Sequence, residues 1–192
     1  MTPTLHEPFP HSWSAQVLAG PPMIAPARQF VYPQAVAGEE DALARGALLF
    51  TLKPAEGGMF LATCALGFKA AELPSGVYSC PNPGHVLAVA GGYAYLIDAE
   101  APEGCEHLPL RPVVAVLPVV EEGLILLAGF HQVCAVDAAG LRWTTVRLSW
   151  EGLTLGEVRD GTLQGMGWNM PSDREVGFAV DLKTGEHTGG GF

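Results

Sequence analysis

Three tryptophans in the last third of the chain, Trp143, Trp150 and Trp168, stand near the carboxylates Glu151, Asp173 and Glu175. Flat indole faces suit sugar rings, and paired carboxylates suit hydroxyl binding or acid–base cleavage of a glycosidic bond. A ligand site of that kind would use Trp150, Glu151, Trp168, Asp173 and Glu175. The plainer account makes Trp143 and Trp168 core residues on strands, with Trp150 anchoring a hairpin beside Glu151-Gly152. The run from Trp168 to Glu175 is a polar connection, where function often sits, and equally an ordinary long hairpin turn.

Other chemistry is thinly represented. Cys80 and His85 flank Pro81-Asn82-Pro83-Gly84, and Cys105-Glu106-His107 is compact, so either pair could offer two ligands to zinc. No CxxC, HExxH or HxH accompanies them, and a structural zinc normally takes four ligands. No metal and no cofactor is therefore expected. A Gly-x-Ser-x-Gly elbow is missing, and Ser75 and Ser149 read as turn and strand residues. A cysteine nucleophile needs its pKa lowered by a histidine or a helix N-terminus, and Cys80 near His85 is the one local candidate. Neither GxxxxGK(S/T) nor GxGxxG is present. Gly165-Met166-Gly167-Trp168 lies in strand-like sequence and reads as a bulge or a close-packing site. No catalytic residue is assigned.

Charge narrows the partners. The 192 residues carry a formal charge of −10. That disfavours nucleic acid, whose phosphates require a basic face, and anionic lipid as well. It permits a basic protein partner, or serves only to keep the chain in solution. No segment reaches the ~20 apolar residues that span a bilayer. The opening MTPTLHEPFPHSW lacks a basic n-region and an apolar h-region, so a cytoplasmic protein is expected. Cys64, Cys80, Cys105 and Cys134 fit that compartment as free thiols.

The elements that must position these residues are mostly strands. Charged residues make up only 16%, and 24 glycines and 16 prolines punctuate the chain. Residues 1–12, with three prolines, are expected as a loosely held arm and 13–192 as a single β domain. GEEDALAR, Gly38 to Arg45, predicts a helix of about two turns, acidic early and basic late. From Ala47 onward short apolar runs alternate with Gly, Pro and Asp turns, which predicts a dozen or so strands. Thr188–Phe192 is expected as a flexible tail, with Phe192 able to tuck onto a groove. Three stretches repeat one plan, strand, turn, strand ending in Asp: Val86–Asp98, Leu124–Asp137 and Leu163–Asp181. An Asp there can cap the turn by accepting nearby backbone N–H groups, and in the last two a Gly three or four residues on supplies positive φ.

Val136-Asp137-Ala138-Ala139-Gly140-Leu141-Arg142-Trp143 resembles the Asp-x-x-Gly-x-x-x-Trp edge of quinoprotein-type β-propeller blades, and Phe178–Gly185 is similar. The resemblance covers the chain from about Val86 onward and implies blade-like hairpins. The ligand residues of quinoprotein enzymes find no match, so it implies no cofactor. The phrases Arg147–Leu153 and Val180–Gly190 also resemble small uncharacterised bacterial proteins, which implies a fold class but no activity.

These readings predict an all-β, β-dominated chain, an antiparallel sandwich or partial propeller-like set of sheets with one short helix. Two functions are open. One is a non-catalytic binding or scaffold protein, monomer or homodimer, a specific version of which neutralises a basic protein partner as immunity-type proteins do. The other is a carbohydrate-binding or glycan-hydrolysing protein built on Trp150, Trp168 and their carboxylates.

Overall fold

The computed structural model describes residues 3–33, 38–39 and 41–192. The chain divides into two compact units, Met1–Pro112 and Val113–Phe192. It is β-dominated, and its four sheets are mostly antiparallel.

The first unit holds β1 (Thr4–His6), β2 (Ser14–Leu18), β3 (Arg28–Tyr32), β4 (Ala47–Lys53), β5 (Phe60–Ala65), β6 (Gly76–Ser79), β7 (His85–Ala90), β8 (Tyr93–Asp98) and β9 (Glu106–His107). They form one sheet in the order β1-β6-β7-β8-β9 and a second in the order β2-β4-β5-β3. β1 on β6 and β3 on β5 run parallel, and the remaining ladders are antiparallel. β4 shows the period of two expected of a half-buried strand, with Leu48, Phe50 and Leu52 turned inward. β7 and β8 are buried along almost their whole length, as central strands of a covered sheet are. Phe50 and Phe60 from one sheet and Val86, Tyr95 and Ile97 from the other share one apolar cluster. Each such side chain contributes roughly 1.5–3 kcal/mol by leaving water.

Two expectations change here. Within the stretch expected as an arm, of which residues 3–12 are described, Thr4, Leu5 and His6 pair with Gly76, Val77 and Tyr78, and Phe9 is buried with its N–H donated to Ser79 Oγ at 2.9 Å. Apolar Leu5 and Phe9 between the prolines are what the strand and the burial use. The helix expected over Gly38 to Arg45 is a single 3-10 turn, Ala42–Arg45, and Glu40 lies outside the described residues. A segment this short cannot offset the cost of helix nucleation, and Gly46 closes the turn.

The second unit holds β10 (Ala115–Val119), β11 (Leu124–Ala128), β12 (Val133–Asp137), β13 (Gly140–Thr144), β14 (Leu153–Arg159), β15 (Thr162–Asn169), β16 (Arg174–Asp181) and β17 (His187–Gly189). They make two antiparallel meanders, β10-β11-β12-β13 and β14-β15-β16-β17. Leu126, Ala135, Leu163, Phe178 and Val180 belong to its apolar cluster. The tail is not free: His187–Gly189 pairs with β16, Asn169 Nδ2 donates to Gly191 O at 2.7 Å, and Phe192 lies 4.9 Å from the Trp150 ring.

The three repeated hairpins are β7–β8, β11–β12 and β15–β16, and each closing aspartate caps its turn. Asp98 Oδ1 accepts the N–H groups of Glu100 and Ala101, Asp137 Oδ1 that of Ala139, and Asp181 Oδ1 those of Lys183 and Thr184. The two blade-like stretches also meet. Trp143 Nε1 donates to Leu182 O at 2.9 Å, and its indole lies so close over Gly185 that a Cβ there would stand 2.8 Å from the ring. The GxG of β15 is a close-packing site. A Cβ at Gly165 would meet the Phe178 ring at 2.3 Å, and one at Gly167 would meet Leu148 O at 2.5 Å.

Candidate functional site

The second unit carries an open cleft of ≈ 620 Å³ between two strand ends. One wall is Leu117–Val119 of β10 and the turn after it, which presents Glu121 and Glu122. The other is Gly156–Arg159 of β14 and its closing turn, Asp160-Gly161. Local sequence explains each wall. Pro118 is tolerated because β10 is a terminal strand of its sheet. The single 3-10 turn Val120–Glu122, ended by Gly123 at φ 62, keeps both glutamates exposed. On β14, the register shifts between Leu155 and Val158, so Gly156 and Glu157 form a bulge. Asp160 (φ 51) and Gly161 (φ 70) are left-handed, as a two-residue hairpin turn demands.

The cleft is lined by Leu117, Val119 and Val158, and four carboxylates accompany them: Glu121, Glu122, Glu157 and Asp160. Arg159 is the single cation among these residues, leaving a net of three negative charges. It bonds Glu157 at 3.1 Å, with the two side chains 72% and 79% exposed. β14 is likewise terminal in its sheet, so the cleft lies between two strand edges that have no further ladder partner among the described residues. No serine, threonine, cysteine or histidine is among the described residues that line it. The arrangement can hold an extended, cationic chain, with apolar residues toward the three aliphatic side chains. Sequence reasoning did not single out Glu121 or Glu122 as site residues. The partner wall lies some forty residues on, and nothing local links the two.

The five residues expected as a ligand site are partly assembled. Trp168 and Glu175 face each other across β15 and β16, and Trp168 Nε1 donates to Asp173 Oδ1 at 3.1 Å. Trp150 N–H donates to Trp168 O, which holds the two backbones together. Both indoles are half-buried, and Glu151, Asp173 and Glu175 are exposed. The Trp150 ring, however, is occupied by neighbours: Phe192 at 4.9 Å and the Arg147 guanidinium at 5.3 Å.

The residues considered as zinc pairs all lie in the first unit. Cys80 is fully buried against Tyr78 O, and His85 lies on β7. His107 stacks on Tyr95 at 4.7 Å and accepts at Nδ1 from Arg111 Nη2 at 3.2 Å. An arginine only donates, so the ring proton resides on Nε2, which is buried without a partner among the described residues. Burial first, and the Arg111 charge second, lower His107 to about 4. Alongside, Glu39 accepts from Tyr93 Oη and from Arg45, each at 2.5 Å, while Arg45 and Arg111 both lie over the Tyr93 ring. This cluster in the first unit was invisible in the sequence. Its carboxylate is held below its ordinary value by those two donors, so it is a poor base and acts as a tether.

Burial pushes the thiols of Cys80, Cys105 and Cys134 up to about 12, and that of Cys64 well above its usual value. The thiolate is the reactive form. Native protein at pH 8 is therefore expected to react with a thiol-specific disulfide reagent at least tenfold more slowly than protein in guanidinium chloride. Rapid labelling of any cysteine in the native state would contradict these environments.

No protein-family model matches the chain, and no curated protein does. Solved structures do, at low identity. The extracellular domain of BT4673 from B. thetaiotaomicron is 12% identical over 73% of this chain and 22% of its own, with a TM-score of 0.40. The N-terminal domain of Nup159 is 15% identical over 98% of this chain and 53% of its own, at 0.37. The WD40 domain of SCAP from fission yeast is 11% identical over 73% and 39%, at 0.32. The chain thus spans at most about half the length of these structures. Among the described residues no helix is long and apolar enough to cross a membrane.

Proposed function

We propose that this chain is a non-catalytic binding protein that docks a basic, extended segment of a protein partner in the acidic cleft of the second unit. The observation that carries this reading is the cleft itself: an aliphatic lining, four carboxylates and one guanidinium, set between two terminal strands. Opposite charge steers encounter and rejects acidic competitors, while the aliphatic lining supplies contact area. The net charge of −10 extends the same field over the whole chain. Four free thiols, three of them buried, support a reducing compartment such as the cytoplasm. No observation favours the glycan reading to the same degree, because the Trp150 ring already has Phe192 and Arg147 against it.

The test is a titration with a fluorescent decapeptide of alternating lysine and valine, set against the glutamate–valine version. The lysine peptide is expected to bind, more weakly as salt rises, and the glutamate peptide not at all. Neutralising the cleft (Glu121→Gln, Glu122→Gln, Glu157→Gln, Asp160→Asn) is expected to weaken binding by about tenfold or more, given ~0.2–1 kcal/mol per exposed pair. Equal affinity of the neutralised variant and the wild type would refute docking in this cleft.

A further inference from the structure

We infer that Arg159 is a built-in competitor for the docked segment, holding Glu157 until a partner cation displaces it. The inference rests on the docking reading above and adds to it the residue that sets its threshold. Arg159 is the one cation among the residues lining the cleft, and it stands two positions from the carboxylate it pairs with, on the bulged end of β14. The pair is 3.1 Å long and both side chains are mostly in water. Such a pair is weak and is held by one contact, so an incoming lysine or arginine can replace it with little loss. Arg159 therefore occupies Glu157 when the cleft is empty without closing the cleft. The cost of displacing it falls most heavily on partners with a single charge. A segment with several basic residues meets Glu121, Glu122 and Asp160 as well, and can release Arg159 while gaining three other carboxylates. The device thus discriminates multiply charged segments from isolated cations.

The experiment uses the full chain and the same lysine–valine decapeptide. Arg159→Gln removes the charge from an exposed position and leaves the strand to fold, which circular dichroism checks. It is expected to tighten peptide binding by about two- to fivefold at low salt, the scale of one exposed ion pair. It is also expected to steepen the salt dependence. Arg159→Lys keeps the charge and is expected to bind as the wild type does. In Glu157→Gln, where Arg159 has nothing to hold, a further Arg159→Gln change is expected to give a smaller gain. Wild type that binds, with Arg159→Gln binding no tighter, overturns the competitor while leaving the docking site intact. No binding by wild type or by Arg159→Gln overturns both.

Discussion

Phe178→Ala is expected to destabilise the second unit by about 3–5 kcal/mol, the largest single effect among these substitutions. The side chain is 4% exposed and sits in the cluster that joins the two meanders of that unit. Its ring covers Gly165, where a Cβ would stand 2.3 Å from Phe178 Cζ and 2.6 Å from Thr154 O. Gly165→Ala is accordingly expected to cost about 1–3 kcal/mol by overpacking. A ring can tilt away from a new methyl group, whereas the Thr154 carbonyl belongs to β14 and moves only with its strand. The double variant should therefore fall short of the sum by at least about 0.5 kcal/mol, since both changes act on one contact. Urea unfolding followed by tryptophan fluorescence measures all three. Strict additivity would mean that the ring does not confine Gly165. Because β14 carries one wall of the cleft, Gly165→Ala should also weaken peptide binding under conditions where the protein remains folded.

The second large effect is an acid sensitivity located in the first unit. Glu39 accepts from Tyr93 and Arg45, and these donors hold it below its ordinary value of 4.5. A carboxylate lowered in the folded state stabilises fully above its unfolded pKa, and loses that contribution as pH falls through the folded value. Glu39→Gln is expected to cost about 1.5–3 kcal/mol at neutral pH, the scale of hydrogen bonds to a charged group, and nearly nothing in strong acid. His107 adds to the same slope at a higher pH. It is lowered from 6.5 to about 4, so between those values the unfolded chain binds the proton and the folded chain does not. Its contribution is whole above 6.5 and declines as pH drops toward about 4. His107→Gln should flatten the loss of stability between pH 6.5 and 4, and Glu39→Gln should flatten the loss at lower pH. Urea midpoints from pH 3 to 8 separate the two, and unchanged slopes would remove both groups from the account.

Fold class was legible because its determinants are local. The short apolar run from Ala47, bounded by Gly46 and Pro54, placed β4, and the repeated strand–turn–strand plan ending in Asp placed the three hairpins to within a residue or two. The Asp98, Asp137 and Asp181 caps involve neighbours only two or three residues away, which a sequence displays directly. The error at Gly38 to Arg45 has the same origin in reverse. Charge order favoured a helix there, but so few residues could sustain only one 3-10 turn.

The candidate site was hardly legible. Glu121-Glu122 and Glu157–Asp160 become one cleft only when β10 and β14 lie as terminal strands of neighbouring meanders. The tether of Glu39 to Tyr93 spans 54 residues, and the tilted contact of Trp150 with Phe192 similarly joins distant positions. The amino-acid order by itself determined where the chain is extended, where it turns and how much negative charge it carries, because each depends on backbone preference and composition within a few residues. Tertiary structure alone decided which carboxylates face one another, which indole is covered and which terminal residues are held, because those follow from strand pairing across the chain, which no short-range pattern encodes.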